Sequence, residues 1–173
     1  MADAYDRRVR VWLFTAGVAA LVSAGLHPAR AQSLLGKASV QYATVLGGAS
    51  AGTAAPGSAI TIWADITPNP SMHIYARGAK DVLPIALAVT ANPSVTTGAP
   101  KYPTPDVASA PGSVGPAPAY ARPFRIALPV TVKASARAGE MITLGGTLSY
   151  QACDDRVCYA ATAAPVTWTI AVR

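Results

Sequence analysis

Phe124-Arg125-Ile126-Ala127-Leu128-Pro129-Val130-Thr131-Val132 is the stretch that sets the fold class. Phe124, Ile126, Leu128, Val130 and Val132 share one side, and Arg125, Ala127 and Thr131 the other. This is the period of two expected of a half-buried antiparallel strand. Upstream, Ile60, Ile62, Ala64 and Ile66 alternate in the same way with Thr61, Trp63 and Asp65. Downstream, Val166, Trp168, Ile170 and Val172 alternate with Thr167, Thr169 and Ala171. Shorter candidate strands are 40–46, 73–76, 85–90 and 141–150. Turn residues separate them at Gly47-Gly48, Ala55-Pro56-Gly57, Pro68-Asn69-Pro70, Asn92-Pro93 and Ala138-Gly139. About seven short strands without an amphipathic helix predict an all-β, immunoglobulin-like antiparallel β-sandwich.

One stretch does not alternate. Residues 100–123 hold seven prolines together with Gly112 and Gly115. Proline has no N–H to give a ladder, so the stretch is expected to stay out of any sheet interior. A loop of that length is either functional or a linker.

The beginning of the chain reads as an address. Arg7-Arg8-Val9-Arg10 precedes a sixteen-residue apolar run, Val11 to Leu26, and then Ala29-Arg30-Ala31. Basic, apolar and small-x-small regions in that order predict a secretory signal over residues 1–31, cut after Ala31, with the mature domain at 32–173. At about 1.5 Å per residue, the run falls short of a hydrocarbon core of about 30 Å, which argues against a retained anchor. No later stretch approaches eighteen apolar residues, so no membrane span is expected in the mature chain. Ten basic and six acidic residues lie beyond residue 31, dispersed without a basic run. That pattern gives no stripe to follow a phosphate backbone, and no nucleic-acid partner is expected. Charged residues are only 13% of the chain and hydrophobic ones 51%, which excludes a disordered polyelectrolyte.

Tyr150-Gln151-Ala152-Cys153-Asp154-Asp155-Arg156-Val157-Cys158-Tyr159 carries both cysteines of the chain, where a strand gives way to a turn. In an exported protein such a pair oxidises readily. A ring this small restrains the unfolded chain by only about 2 kcal/mol, so redox use and stapling both remain open. Asp154 and Asp155 disfavour a thiolate and Arg156 favours one. All three also fit a solvated turn.

This segment resembles the active-site signature of the N-terminal periplasmic domain of the thiol:disulfide interchange protein DsbD. The similarity extends to 125–132, to Ala138-Gly139 and to Met72-His73-Ile74-Tyr75-Ala76, covering roughly residues 38 to 172. It implies an immunoglobulin-like fold in which Cys153 and Cys158 cycle between dithiol and disulfide. Cys158 would form the mixed disulfide and Cys153 would resolve it. Tyr150, Asp154, Asp155, Arg156 and Tyr159 would surround the pair. Family members shield the cysteines with a cap loop, whose slot here is Pro116-Ala117-Pro118-Ala119-Tyr120, with Tyr120 its only aromatic residue. The resemblance further implies a periplasmic location and electrons supplied by a thioredoxin-like domain or membrane thiol reductase. Oxidised periplasmic proteins, including those of cytochrome maturation, would accept them. Where the family places two prolines after the second cysteine and its neighbour, this chain has Ala160 and Ala161. No further Cys-x-x-Cys follows, so the electron source is expected to be another protein.

Other chemistry has little material. His73 is the only histidine beyond residue 31, and with Met72 and reduced thiols it outlines a copper-binding alternative. A lone histidine among strand residues more often serves packing, and no metal or other cofactor is expected. Trp63 and Trp168 fit sheet-face or core positions. Residues 48–57 contain glycines but no phosphate-loop lysine. An immunoglobulin-like binding or adaptor domain with a structural disulfide is the remaining alternative.

Overall fold

The computed structural model describes residues 41–109 and 115–173, so the leader expected at 1–31 and the tip of the proline-rich stretch at 110–114 lie outside the described residues. Among the described residues twelve strands run in chain order: β1 (Ala43–Ala49), β2 (Thr53–Ala54), β3 (Ala59–Pro68), β4 (His73–Tyr75), β5 (Ala86–Val89), β6 (Val95–Thr97), β7 (Asp106–Ser109), β8 (Pro116–Tyr120), β9 (Phe124–Val132), β10 (Met141–Tyr150), β11 (Ala152–Cys153) and β12 (Thr162–Val172). They build three four-stranded sheets, ordered β1-β3-β9-β6, β2-β12-β10-β5 and β11-β4-β8-β7. Every pairing is antiparallel except the short β12–β2 contact. The described residues are all-β, as their alternation predicts.

The first two sheets form the sandwich. Ile62, Ala64 and Ile66 of β3 and Ile126, Leu128, Val130 and Val132 of β9 are buried against Ile142, Leu144 and Leu148 of β10 and Trp168 and Ile170 of β12. Their alternate neighbours are turned outward, so one face of each strand supplies the hydrophobic driving force. Trp168 reaches the first sheet, its Nε1–H donating to the Trp63 carbonyl at 2.7 Å. Trp63 lies on the sheet face, with Arg125 Cζ 4.1 Å from its ring centroid and Nε1 donating to Asp65 at 3.1 Å. Arg125 also grips Asp65 through two hydrogen bonds of 2.7 and 2.8 Å.

Two sequence expectations are corrected. Gly47-Gly48 is not a turn but the middle of β1, paired with Ala64 and Trp63. A Cβ at Gly47 would lie 2.5 Å from the Thr167 carbonyl oxygen, and one at Gly48 2.6 Å from Cε2 of Trp63. These glycines let a tryptophan ring and a neighbouring strand approach the backbone. The proline-rich stretch, in turn, does enter a sheet: β8 lies between β4 and β7 in the third sheet.

The prolines fit because each faces a place where its neighbour's ladder has stopped. The Pro118 carbonyl accepts the Ala76 N–H at 2.9 Å, while the Ala76 carbonyl turns away to accept Ala79 N–H at 3.2 Å. No carbonyl is left waiting for the N–H that Pro118 lacks. Pro129 in β9 is handled alike: its carbonyl accepts Gly98 N–H at 2.8 Å, just past the end of β6. The ladder resumes at Ala127 and Lys101, with one extra residue on the Lys101 side.

The third sheet is made of continuations. β3 passes through Asn69-Pro70 into β4, β8 leads into β9, and β10 passes through Gln151 into β11. Its inner face adds Ile74, Ala76, Tyr120 and Ala152 to the main core. Its outer face carries a separate small cluster centred on Tyr75, Ala119 and Cys153.

Candidate functional site: the Cys153–Cys158 hairpin

After Cys153 the chain reverses through Asp154–Val157 and returns at Cys158, which pairs with Cys153 as an isolated antiparallel bridge. The Tyr159 N–H donates to the Ala152 carbonyl at 2.9 Å and the Asp154 N–H to Val157 at 3.0 Å. The cysteines thus occupy the non-hydrogen-bonded position between two bonded pairs, where facing side chains come closest. They form a disulfide, with Cα atoms 4.0 Å apart.

Asp154 builds the turn. Its Oδ1 accepts the N–H groups of Arg156 at 2.7 Å and Val157 at 2.8 Å, and its Oδ2 accepts the Tyr159 hydroxyl at 2.7 Å. The Tyr159 bond, followed by those two backbone bonds, holds the carboxyl below the usual aspartate range. The same contact raises the Tyr159 phenol. Tyr159 stacks on Tyr42 with centroids 4.4 Å apart. Gln151 ties the hairpin to the 76–85 loop: its Oε1 accepts Leu83 N–H at 2.9 Å and its Nε2 donates to the Tyr159 carbonyl at 3.0 Å.

The two sulfur-bearing residues are unequal. Cys153 is 0% exposed, whereas Cys158 is partly exposed. Around them pack Tyr75 and Ala119, with Ala79, Val82, Ala108 and Ala117 at the margin. His73 is the cross-strand partner of Cys153 and is itself buried. Its Nε2 and the Tyr75 hydroxyl share a hydrogen bond of 2.9 Å, and the two rings meet edge to face. An open cleft of about 440 Å³ beside them is lined by Ser71, Met72, His73, Ala108, Ala121 and Asp155.

Burial lowers the His73 pKa from 6.5, against the opposing pull of Asp155 and Asp154. The unfolded chain therefore binds a proton at this residue at a higher pH than the folded chain does. Stability is expected to fall as pH drops below 6.5, and His73→Gln should remove part of that slope. Urea midpoints for both proteins on either side of that pH check it.

The family model described as thiol:disulfide interchange protein DsbD, N-terminal, matches residues 44–169. The chain belongs to the DsbD N-terminal family. Among solved structures it is similar to the N-terminal periplasmic domain of ScsB from Proteus mirabilis, at 15% identity and a TM-score of 0.50. The match covers 75% of this chain and 47% of that one, so the chain spans about half the length of the structure it resembles. At that identity the likeness is one of fold. No curated protein sequence matches the chain.

Within this DsbD-type hairpin the expected residues separate. Cys153, Asp154, Cys158 and Tyr159 come together, while Asp155 and Arg156 are exposed on the turn. Tyr150 is fully buried, and its hydroxyl meets the Tyr42 N–H at 3.2 Å, so it joins the site only through the Tyr42–Tyr159 stack. Tyr120 does not cover the cystine. Its ring lies in the main core, stacked on Phe124 with centroids 4.0 Å apart, and its hydroxyl donates to the Pro103 carbonyl at 2.8 Å. Ala119, one residue earlier and therefore on the opposite face, packs there instead. Tyr75 was not anticipated, although the spacing of His73 and Tyr75 on a strand places both on one face. Among the described residues no group of three or more His, Cys, Asp or Glu is arranged to hold a metal ion.

Proposed function

We propose that this chain is a periplasmic thiol–disulfide exchange module working through the Cys153–Cys158 pair. The observation that carries the reading is the asymmetry of one small hairpin: a partly exposed Cys158 joined to a fully buried Cys153. In the direction that reduces a client, the Cys158 thiolate attacks the client disulfide and one client thiolate leaves. Cys153 then attacks the Cys158 sulfur, the cystine re-forms and the second client thiolate departs. Two electrons pass from the module to the client. A thioredoxin-like domain or membrane thiol reductase restores the dithiol, and oxidised periplasmic proteins receive the electrons. Membership of the DsbD N-terminal family supports exchange chemistry, and the periplasmic origin of the similar ScsB domain supports export. Residues 1–31 would serve as the leader.

The test compares Cys153→Ala with Cys158→Ala, each incubated with glutathione disulfide and analysed by intact mass. Cys153→Ala is expected to hold a stable glutathione adduct and Cys158→Ala to hold far less. Equal adducts on both, together with a native bridge that glutathione buffers cannot open, would make the disulfide a staple.

A further inference from the structure

Resolution of the mixed disulfide poses a proton problem, and this inference rests on the exchange reading above. When Cys158 is bound to a client, Cys153 is a thiol in a fully buried position. Burial disfavours its thiolate, and the nearby Asp154 and Asp155 disfavour it further. Yet only the thiolate attacks a disulfide. A base beside Cys153 would remove this obstacle.

We propose that His73 is that base. Directly opposed residues of an antiparallel pair project to the same face with Cβ atoms about 4.5–5.5 Å apart, and His73 is the residue opposed to Cys153. The other groups on this face are poorly suited. Asp154 is occupied by three hydrogen bonds. Asp106 of β7 is paired with Arg122. Tyr75 is kept protonated, since burial raises its phenol. The covering loop contributes Ala79 and Val82 and leaves Lys80 and Asp81 exposed. β8 contributes only Ala117 and Ala119. Asp155 shares the cleft with His73, where its charge favours the imidazolium that the transfer creates.

The hydrogen bond to Tyr75 supplies the orientation. In the tautomer that donates Nε2–H to the Tyr75 oxygen, Nδ1 keeps a lone pair. The proton of the Cys153 thiol passes to Nδ1 and the Cys153 thiolate attacks the Cys158 sulfur. The Cys153–Cys158 bond forms as the Cys158–client bond breaks, and the departing client thiolate takes the proton from the imidazolium or from water. Because burial keeps the imidazole neutral at pH 7, the base is available without prior deprotonation.

The test uses the reduced protein and dithiobis(nitrobenzoate), which releases one thionitrobenzoate when Cys158 is captured and a second when Cys153 resolves the adduct. In the native protein the second rate is expected to rise with pH and level off below 6.5. His73→Gln keeps a hydrogen-bonding partner for Tyr75 but is not basic. Its second phase should be about tenfold slower at pH 7 and climb without a plateau towards the thiol range, with the first phase unchanged. Tyr75→Phe should keep the plateau and move its inflection. A normal first phase with a second phase indifferent to His73→Gln would overturn the inference alone. Absence of the first phase in the native protein would overturn the exchange reading and this inference with it. Should His73→Gln fail to fold, the native profile decides, because a line without an inflection below 6.5 excludes the histidine.

Discussion

After reduction, Cys158 is expected to be alkylated by iodoacetamide about a hundredfold faster than Cys153, the ratio set by about 3 kcal/mol of local opening. Both thiols lie in one hairpin and share the same neighbouring carboxylates, so charge alone does not separate them. Access does. Cys153 belongs to β11, is paired with His73 and is 0% exposed, with Tyr75 and Ala119 packed against it. Reagent reaches it only when the groups packed over this face move aside. Cys158 lies on the returning arm, is partly exposed and makes no strand pairing beyond its bridge to Cys153. Peptide mapping after timed quenching gives the two rates. Equal rates would mean that reduction dissolves the hairpin, and the assignment of attacking and resolving roles would lose its structural basis.

Gly48→Val is expected to lower stability by about 3 kcal/mol, the upper part of the usual range for overpacking. The Cβ atom alone would lie 2.6 Å from Trp63 Cε2, and Trp63 has little room to yield. Its indole is covered by Arg125, its Nε1 holds Asp65, and its carbonyl receives Nε1–H of Trp168. Moving the ring disturbs the first two contacts, and shifting the strand to make room instead would disturb the third. Thermal unfolding of the oxidised protein should fall by about 10 °C. Gly52→Ala is the control, since a Cβ there meets nothing within 4 Å, and it should change stability by less than about 0.5 kcal/mol. Equal effects from the two substitutions would show that loss of backbone freedom, rather than the tryptophan contact, governs β1.

The strands β3, β9 and β12 were legible because each buries one face, and burial writes itself into sequence as strict alternation. Gly47-Gly48 was misread because a glycine required by a neighbouring ring looks the same, in one dimension, as a glycine required by a turn. β8 was hidden for a related reason. Proline signals a missing donor, and whether that donor is needed depends on where β4 ends. In the site, the cysteine pair and Asp154 were visible because they are close in sequence. That Tyr75 and Ala119, rather than Tyr120, lie beside Cys153 was not, because this placement depends on pairings with β4 and β8 across long stretches of chain.

Pro118 also acts as a ruler. A slip of β8 by one residue would turn every side chain of the strand to the other face. The large Tyr120 ring would then crowd the sulfur atoms, and Ala119 would leave a void in the main core. Such a slip would also set an imide nitrogen against a carbonyl still in need of a donor, so the misaligned strand is penalised twice. The proline thus guards the surroundings of the cystine by keeping the strand in step, with no contact to the cysteines required.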